Sequence, residues 1–143
     1  MLPMNRTFEE LQDLGRRYTA AWSSQSPARV AGFYAENGTL TINGAAPSVG
    51  REEIGKAAEG FMTAFPDLAL TMNQVRAEGN GAVFCWTLAG HNSGPGGSGR
   101  YVIISGFEEW EPTADGLIAC SKGHFDDADY QRQLAIGFEE TRR

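Results

Sequence analysis

Four strand-like runs follow one another between residues 68 and 126, at 68–78, 82–91, 100–111 and 117–126, and each is divided from the next by glycine-bearing turns. Such a succession commits a chain to an antiparallel sheet, because short turns reverse the strand direction each time. The dividers are Gly79-Asn80-Gly81, the loop at 92–99 and Asp115-Gly116, drawn from eighteen glycines in 143 residues. Gly94-Pro95-Gly96-Gly97-Ser98-Gly99 lacks the strand-then-helix setting of a phosphate-binding loop, so it reads as a long hairpin connection.

Before these runs the period is helical. Phe8, Leu11, Gly15, Tyr18 and Trp22 predict an amphipathic helix over 7–23, with Thr7 as N-cap and Glu9 and Glu10 in the favourable first turn. Pro27 suits the start of a short helix at 27–34, and a short strand at 39–42 ends on Asn43-Gly44. A second long helix at 51–65 puts Ile54, Ala57, Ala58, Phe61 and Phe65 on one side and stops at Pro66. A last helical turn or two fits 128–136. Helices first and strands after describe an α+β fold in one domain, 1–143 with a core at about 7–137. Its helices cover one face of a curved sheet, and a pocket is expected between the layers.

Composition narrows the function. A formal charge of −6 with no basic stripe argues against a nucleic-acid partner. No stretch approaches a membrane span, and Met1-Leu2-Pro3-Met4-Asn5-Arg6 lacks the apolar run of a signal peptide, so a cytoplasmic protein is expected. Cys85 and Cys120 are then expected as reduced core thiols. With His91 and His124 they supply four zinc-type ligands. On extended strands, however, Cys120 and His124 stand roughly 13 Å apart, and Cys85 and His91 roughly 20 Å, at about 3.3 Å per residue. No metal is expected on that spacing.

If 117–126 is extended, alternation puts Ile118, Cys120, Lys122, His124 and Asp126 on one face, apolar at its start and ionisable at its end. Asp126 and His124 there suit acid/base work. Asp126 equally suits the N-cap of the terminal segment, with Asp127 and Asp129 beside it.

Several pieces in order carry a family resemblance: Val49-Gly50-Arg51-Glu52-Glu53-Ile54, Phe65-Pro66-Asp67-Leu68, Trp86-Thr87-Leu88-Ala89-Gly90-His91-Asn92-Ser93-Gly94, and Asp126 seven residues before Gln133-Leu134. Together they resemble the SnoaL-like polyketide cyclases of the nuclear-transport-factor-2-like superfamily. The resemblance implies a cystatin-like cone of helices packed on a curved, mostly antiparallel mixed sheet. It also implies cofactor-independent general acid/base chemistry, an intramolecular aldol closure or a related lyase or isomerase step, on a small oxygenated apolar substrate. Carried over residue by residue, the family's aspartate and histidine fall on Asp126 and His91, with His124 a second candidate partner. Tyr18, Trp22, Tyr34, Phe61, Phe65 and Thr87 are the expected substrate-binding residues. The alternative is a non-catalytic small-molecule or partner-binding module on the same scaffold.

Two related chemistries lack their residues. A ketosteroid-isomerase-like base is missing from Thr41-Ile42-Asn43-Gly44, and the 82–91 strand offers neither the Arg nor the Asp of a limonene-epoxide-hydrolase-like site. If His91 faces the pocket, alternation turns Cys85, Thr87 and Ala89 inward and Phe84, Trp86 and Leu88 outward. The outward apolar side chains would then need cover, which a homodimer through the outer sheet face would supply.

Overall fold

The structure, a computed structural model, describes residues 7–142; the expectation for the segment at 1–6 lies outside them. The first helix, α1 (Phe8–Ser23), opens with a full capping box: Thr7 Oγ1 accepts from Glu10 N, and the Glu10 carboxylate accepts from Thr7 N. Its buried stripe is Leu11, Leu14, Gly15, Tyr18, Ala21 and Trp22. Helix α2 (Pro27–Ala31) has Ser26 as N-cap and Pro27 in its first turn. It is shorter than the 27–34 expected, because Tyr34 already belongs to a strand.

That strand, β1 (Tyr34–Ile42), pairs with the two-residue β2 (Ser48–Val49) and leads into α3 (Arg51–Ala64). The remaining chain gives β3 (Ala69–Glu78), β4 (Gly81–His91), β5 (Tyr101–Pro112), β6 (Ile118–Phe125), α4 (Asp127–Ile136) and the short α5 (Phe138–Thr141). The sheet order is β2-β1-β6-β5-β4-β3. All neighbours are antiparallel except β1 and β6, which run parallel and bring the two ends of the fold together. Beyond the last β5–β6 pair, the buried Gln133 of α4 takes over the free strand edge. Its Oε1 accepts from Ile103 N at 2.7 Å and its Nε2 donates to Ile103 O at 2.9 Å.

The facing of β4 is the reverse of what a pocket-facing His91 would require. Phe84, Trp86 and Leu88 are buried in the core cluster, whereas Thr87 lies on the outer face, bonded to Ser105 and Asn73. The physical reason is area: Phe84 stacks on Trp110 at 4.9 Å and meets the Tyr18 ring edge-on at 5.5 Å, burying far more apolar surface than Cys85, Thr87 and Ala89 would. The side chains that motivated a homodimer through the outer face are therefore inside, and that motive falls. Strand β6 also changes phase. A register shift opposite Glu111 and Pro112 lets Ile118 point inward together with Ser121 and Gly123, which leaves Lys122 and His124 outside.

Truncation separates the two faces. Phe84→Ala should lower the free energy of unfolding by about 3–5 kcal/mol, the cost of deleting a buried aromatic ring. Phe107→Ala, on the outer face, should cost under about 1 kcal/mol. Urea denaturation of both variants checks this, and equal losses would contradict the assigned faces.

Candidate functional site

Among the described residues, one acid is buried inside the cone. Glu108 sits on the inner face of β5, between Gly106 and Trp110, and is only 7% exposed. Its Oε1 accepts from Ser121 Oγ of β6 at 2.7 Å, from Trp110 Nε1 at 2.9 Å and from Tyr18 Oη of α1 at 3.0 Å. Its Oε2 is only 3.2 Å from the same Tyr18 hydroxyl. Tyr18 Oη is also 2.8 Å from Tyr34 Oη, so a chain of hydroxyls runs from β1 through α1 to the carboxyl.

No Lys, Arg or His among the described residues forms an ion pair with Glu108. Burial pushes its pKa above the ordinary carboxyl value, while the donors from Ser121, Trp110 and Tyr18 pull the other way. Burial wins, as expected where a charge is removed from water without a counter-ion. Tyr18 and Tyr34 are raised well above the usual phenol range, first by burial and then by the neighbouring Glu108 charge. They are neutral donors at any ordinary pH.

Glu108 forms part of the wall of an apolar cavity between the helices and the sheet. Trp22 of α1 and Phe61 of α3 line one side, Trp86 and Leu88 of β4 another, and Gly123 and Phe125 of β6 a third. Trp22 meets Phe61 edge-on at 6.1 Å, and Trp86 meets Phe125 edge-on at 6.1 Å. Gly106 of β5 is tightly packed: a Cβ there would clash with the backbone carbonyl of His124 and lie 2.7 Å from the Trp86 ring, so only glycine lets that indole keep its place in the wall. The centre of a water molecule has about 50 Å³ in which to move, room for a few waters or one small ligand. Phe61, Leu70, Ile42 and Phe125 are only partly buried and mark the mouth. The indole N–H groups of Trp22 and Trp86 are buried without an acceptor at hydrogen-bonding distance; Trp22 only leans toward the Tyr18 hydroxyl.

The residues expected from sequence are divided by this geometry. Trp22 and Phe61 line the cavity; Tyr18 and Tyr34 stand behind it as the hydroxyl chain. Phe65 is fully buried against Tyr130, and Thr87 is on the opposite side of the sheet. The three expected acid/base residues lie outside the cavity wall. Asp126 is exposed and caps α4, its Oδ1 accepting from Asp129 N at 3.1 Å. The helix end claims it because unsatisfied N–H groups there offer a carboxylate a partner that the apolar cavity does not. His91, with a side chain 53% exposed, pairs with Asp67 at 2.7 Å and packs on Tyr101. His124 pairs with Glu109 at 2.8 Å and stacks on Phe107 on the outer face.

Helices roofing a curved mixed sheet, with a buried carboxyl in an aromatic cavity between them, place the chain in the ketosteroid-isomerase-like fold. The family model for SnoaL-like polyketide cyclase matches residues 12–134, and the chain belongs to that family. Solved structures agree on the fold. A protein from Jannaschia sp. CCS1, provisionally assigned as a SnoaL-like polyketide cyclase, superposes with a TM-score of 0.78 at 15% identity over 94% of this chain and 99% of its own. TsrD from Streptomyces laurentii gives 0.77 at 24% identity, covering 91% and 98%. A ketosteroid-isomerase-like protein from Catenulispora acidiphila, solved with trimethylamine, gives 0.76 at 15% identity, covering 86% and 92%. No curated protein sequence matches the chain significantly.

The raised pKa of Glu108 has a stability signature. The native state holds this proton at pH values where the unfolded chain has released it, so the contribution is full below the ordinary value of 4.5 and declines as pH rises toward the native pKa. Asp67 and Asp129, both lowered by their partners, act with the opposite sign: their contribution is present above the usual aspartate range and lost as pH falls through their native values. Comparison with Glu108→Gln cancels them. Wild-type stability minus that of the variant should fall as pH rises from 4.5 to neutrality, measured by denaturation at each pH. A flat difference would show that Glu108 titrates normally.

Proposed function

We propose that the protein is a cofactor-independent acid/base enzyme, of the polyketide-cyclase type, in which Glu108 is the catalytic residue. One observation carries this: the buried carboxyl of the cavity lacks a counter-cation and is aligned by hydroxyl and indole donors that leave Oε2 less engaged than Oε1. Such a group is ready to accept a proton from an acidic carbon, since protonation removes the unpaired buried charge.

In the reaction this implies, Glu108 takes a proton from a carbon between two carbonyls, leaving an enolate. The enolate carbon attacks a further carbonyl of the same molecule, beyond the two that flank it, forming the ring C–C bond and an alkoxide. The proton then returns from Glu108 to the alkoxide oxygen, so the product is an isomer of the substrate. Water is kept from the enolate by the apolar wall. The present volume suits a small skeleton.

The homologous positions favoured by sequence, Asp126 and His91, are supported less, because each is exposed and satisfied by a structural partner. A second reading, small-molecule binding without turnover, is supported by the trimethylamine in the Catenulispora structure.

The test is ring closure of a panel of small linear poly-β-carbonyl compounds in metal- and cofactor-free buffer, followed by NMR. Glu108→Gln should lower turnover about 10²–10⁴-fold, the usual contribution of general acid/base catalysis. Asp126→Asn and His91→Ala should retain it within a few-fold. An active wild type with an equally active Gln variant would return the assignment to the other carboxylates.

A further inference from the structure

The cavity combines two features that the proposed chemistry does not require together. Four aromatic side chains, Trp22, Phe61, Trp86 and Phe125, line it in two edge-to-face pairs, and a carboxyl without a counter-ion lies among them. Aromatic faces carry negative potential and attract a cation within about 6 Å of the ring centre. When ionised, the carboxyl adds a charge of the same sign, in a region where low polarity weakens screening. Against this, a cation loses its water on entry.

That loss selects the ligand. A primary ammonium brings three N–H donors, and Glu108 is the one acidic side chain among the lining residues. An ammonium whose hydrogens are replaced by methyl groups needs no acceptors, is weakly hydrated, and presents an apolar shell to apolar walls. The small volume sets the size. We infer that the cavity is a recognition site for a small alkylated ammonium group, held by the four aromatic side chains over Glu108. The inference rests on the same carboxylate as the acid/base reading but not on turnover. It assigns the class of ligand group that the cavity takes.

The experiment is a titration of the protein with tetramethylammonium chloride at constant ionic strength, read by calorimetry and by tryptophan fluorescence. The neutral comparator is neopentyl alcohol, which has similar bulk and no charge. Wild-type protein should bind the cation at least about tenfold more tightly than the alcohol, and methylammonium more weakly than tetramethylammonium. Glu108→Gln should abolish the preference for charge. Should that variant fail to fold, Phe61→Leu at the partly exposed rim keeps Glu108 and removes one ring, and should reduce the preference several-fold. Equal binding of cation and alcohol by wild type overturns the inference, as does a preference that survives in both variants. Failure here, with ring closure still dependent on Glu108, removes the ammonium ligand and leaves the acid/base reading standing. Cation binding with no closure of any substrate does the reverse.

Discussion

The hydrogen bonds converging on the Glu108 carboxyl tie together elements that are distant in sequence. Tyr18 reaches it from α1, Trp110 from two residues along β5, and Ser121 from β6, while Tyr34 of β1 holds the Tyr18 hydroxyl. A hydrogen bond to a charged group contributes roughly 1.5–3 kcal/mol, and moving a carboxylate out of water costs several. The two are comparable, and the raised pKa shows that desolvation retains the edge. Interior packing and the environment of the carboxyl therefore come from one arrangement. A core that only needed to fold would place an apolar residue at this point of β5.

Around the carboxyl the packing is aromatic. The Tyr18 ring meets Trp22, Phe33, Phe84 and Trp110 edge-on, so the residue that donates to Glu108 is itself fixed from several sides. Fixed donors matter for catalysis because they need no reorganisation when charge moves. The cavity begins where this packing stops, and Gly123, which adds no side chain to the inner sheet surface, is part of its wall.

Much of the scaffold was legible in the sequence because it rests on local signals. Thr7 as an N-cap, Pro27, Pro66 and the turns at Gly79-Asn80-Gly81 and Asp115-Gly116 mark ends that the structure places within a few residues. The parallel β1–β6 pairing carries no local signal; the family resemblance implied a mixed sheet without saying which strands run parallel. The site was less legible for a different reason. Orientation along β4 was fixed by assuming that His91 faced inward, yet Phe84, Trp86 and Leu88 carry the larger apolar area and settle the facing. The signal for Glu108 was present in β5: Val102, Ile104, Glu108 and Trp110 share one face, and an acid on an otherwise apolar face is the anomaly to pursue. Asp126 stood out only by its place in the chain, where a capping role consumes it.

Glu108 is buried, without a counter-ion among the described residues, and its pKa is raised by that burial. Carbon-13 NMR of protein labelled at the glutamate side-chain carboxyls follows each through a pH titration, and the resonance absent from Glu108→Gln identifies this one. That resonance should titrate above the ordinary glutamate value of 4.5 and shift when a ligand enters the cavity. A Glu108 resonance that titrates at or below the ordinary value of 4.5, and ignores cavity ligands, would contradict it.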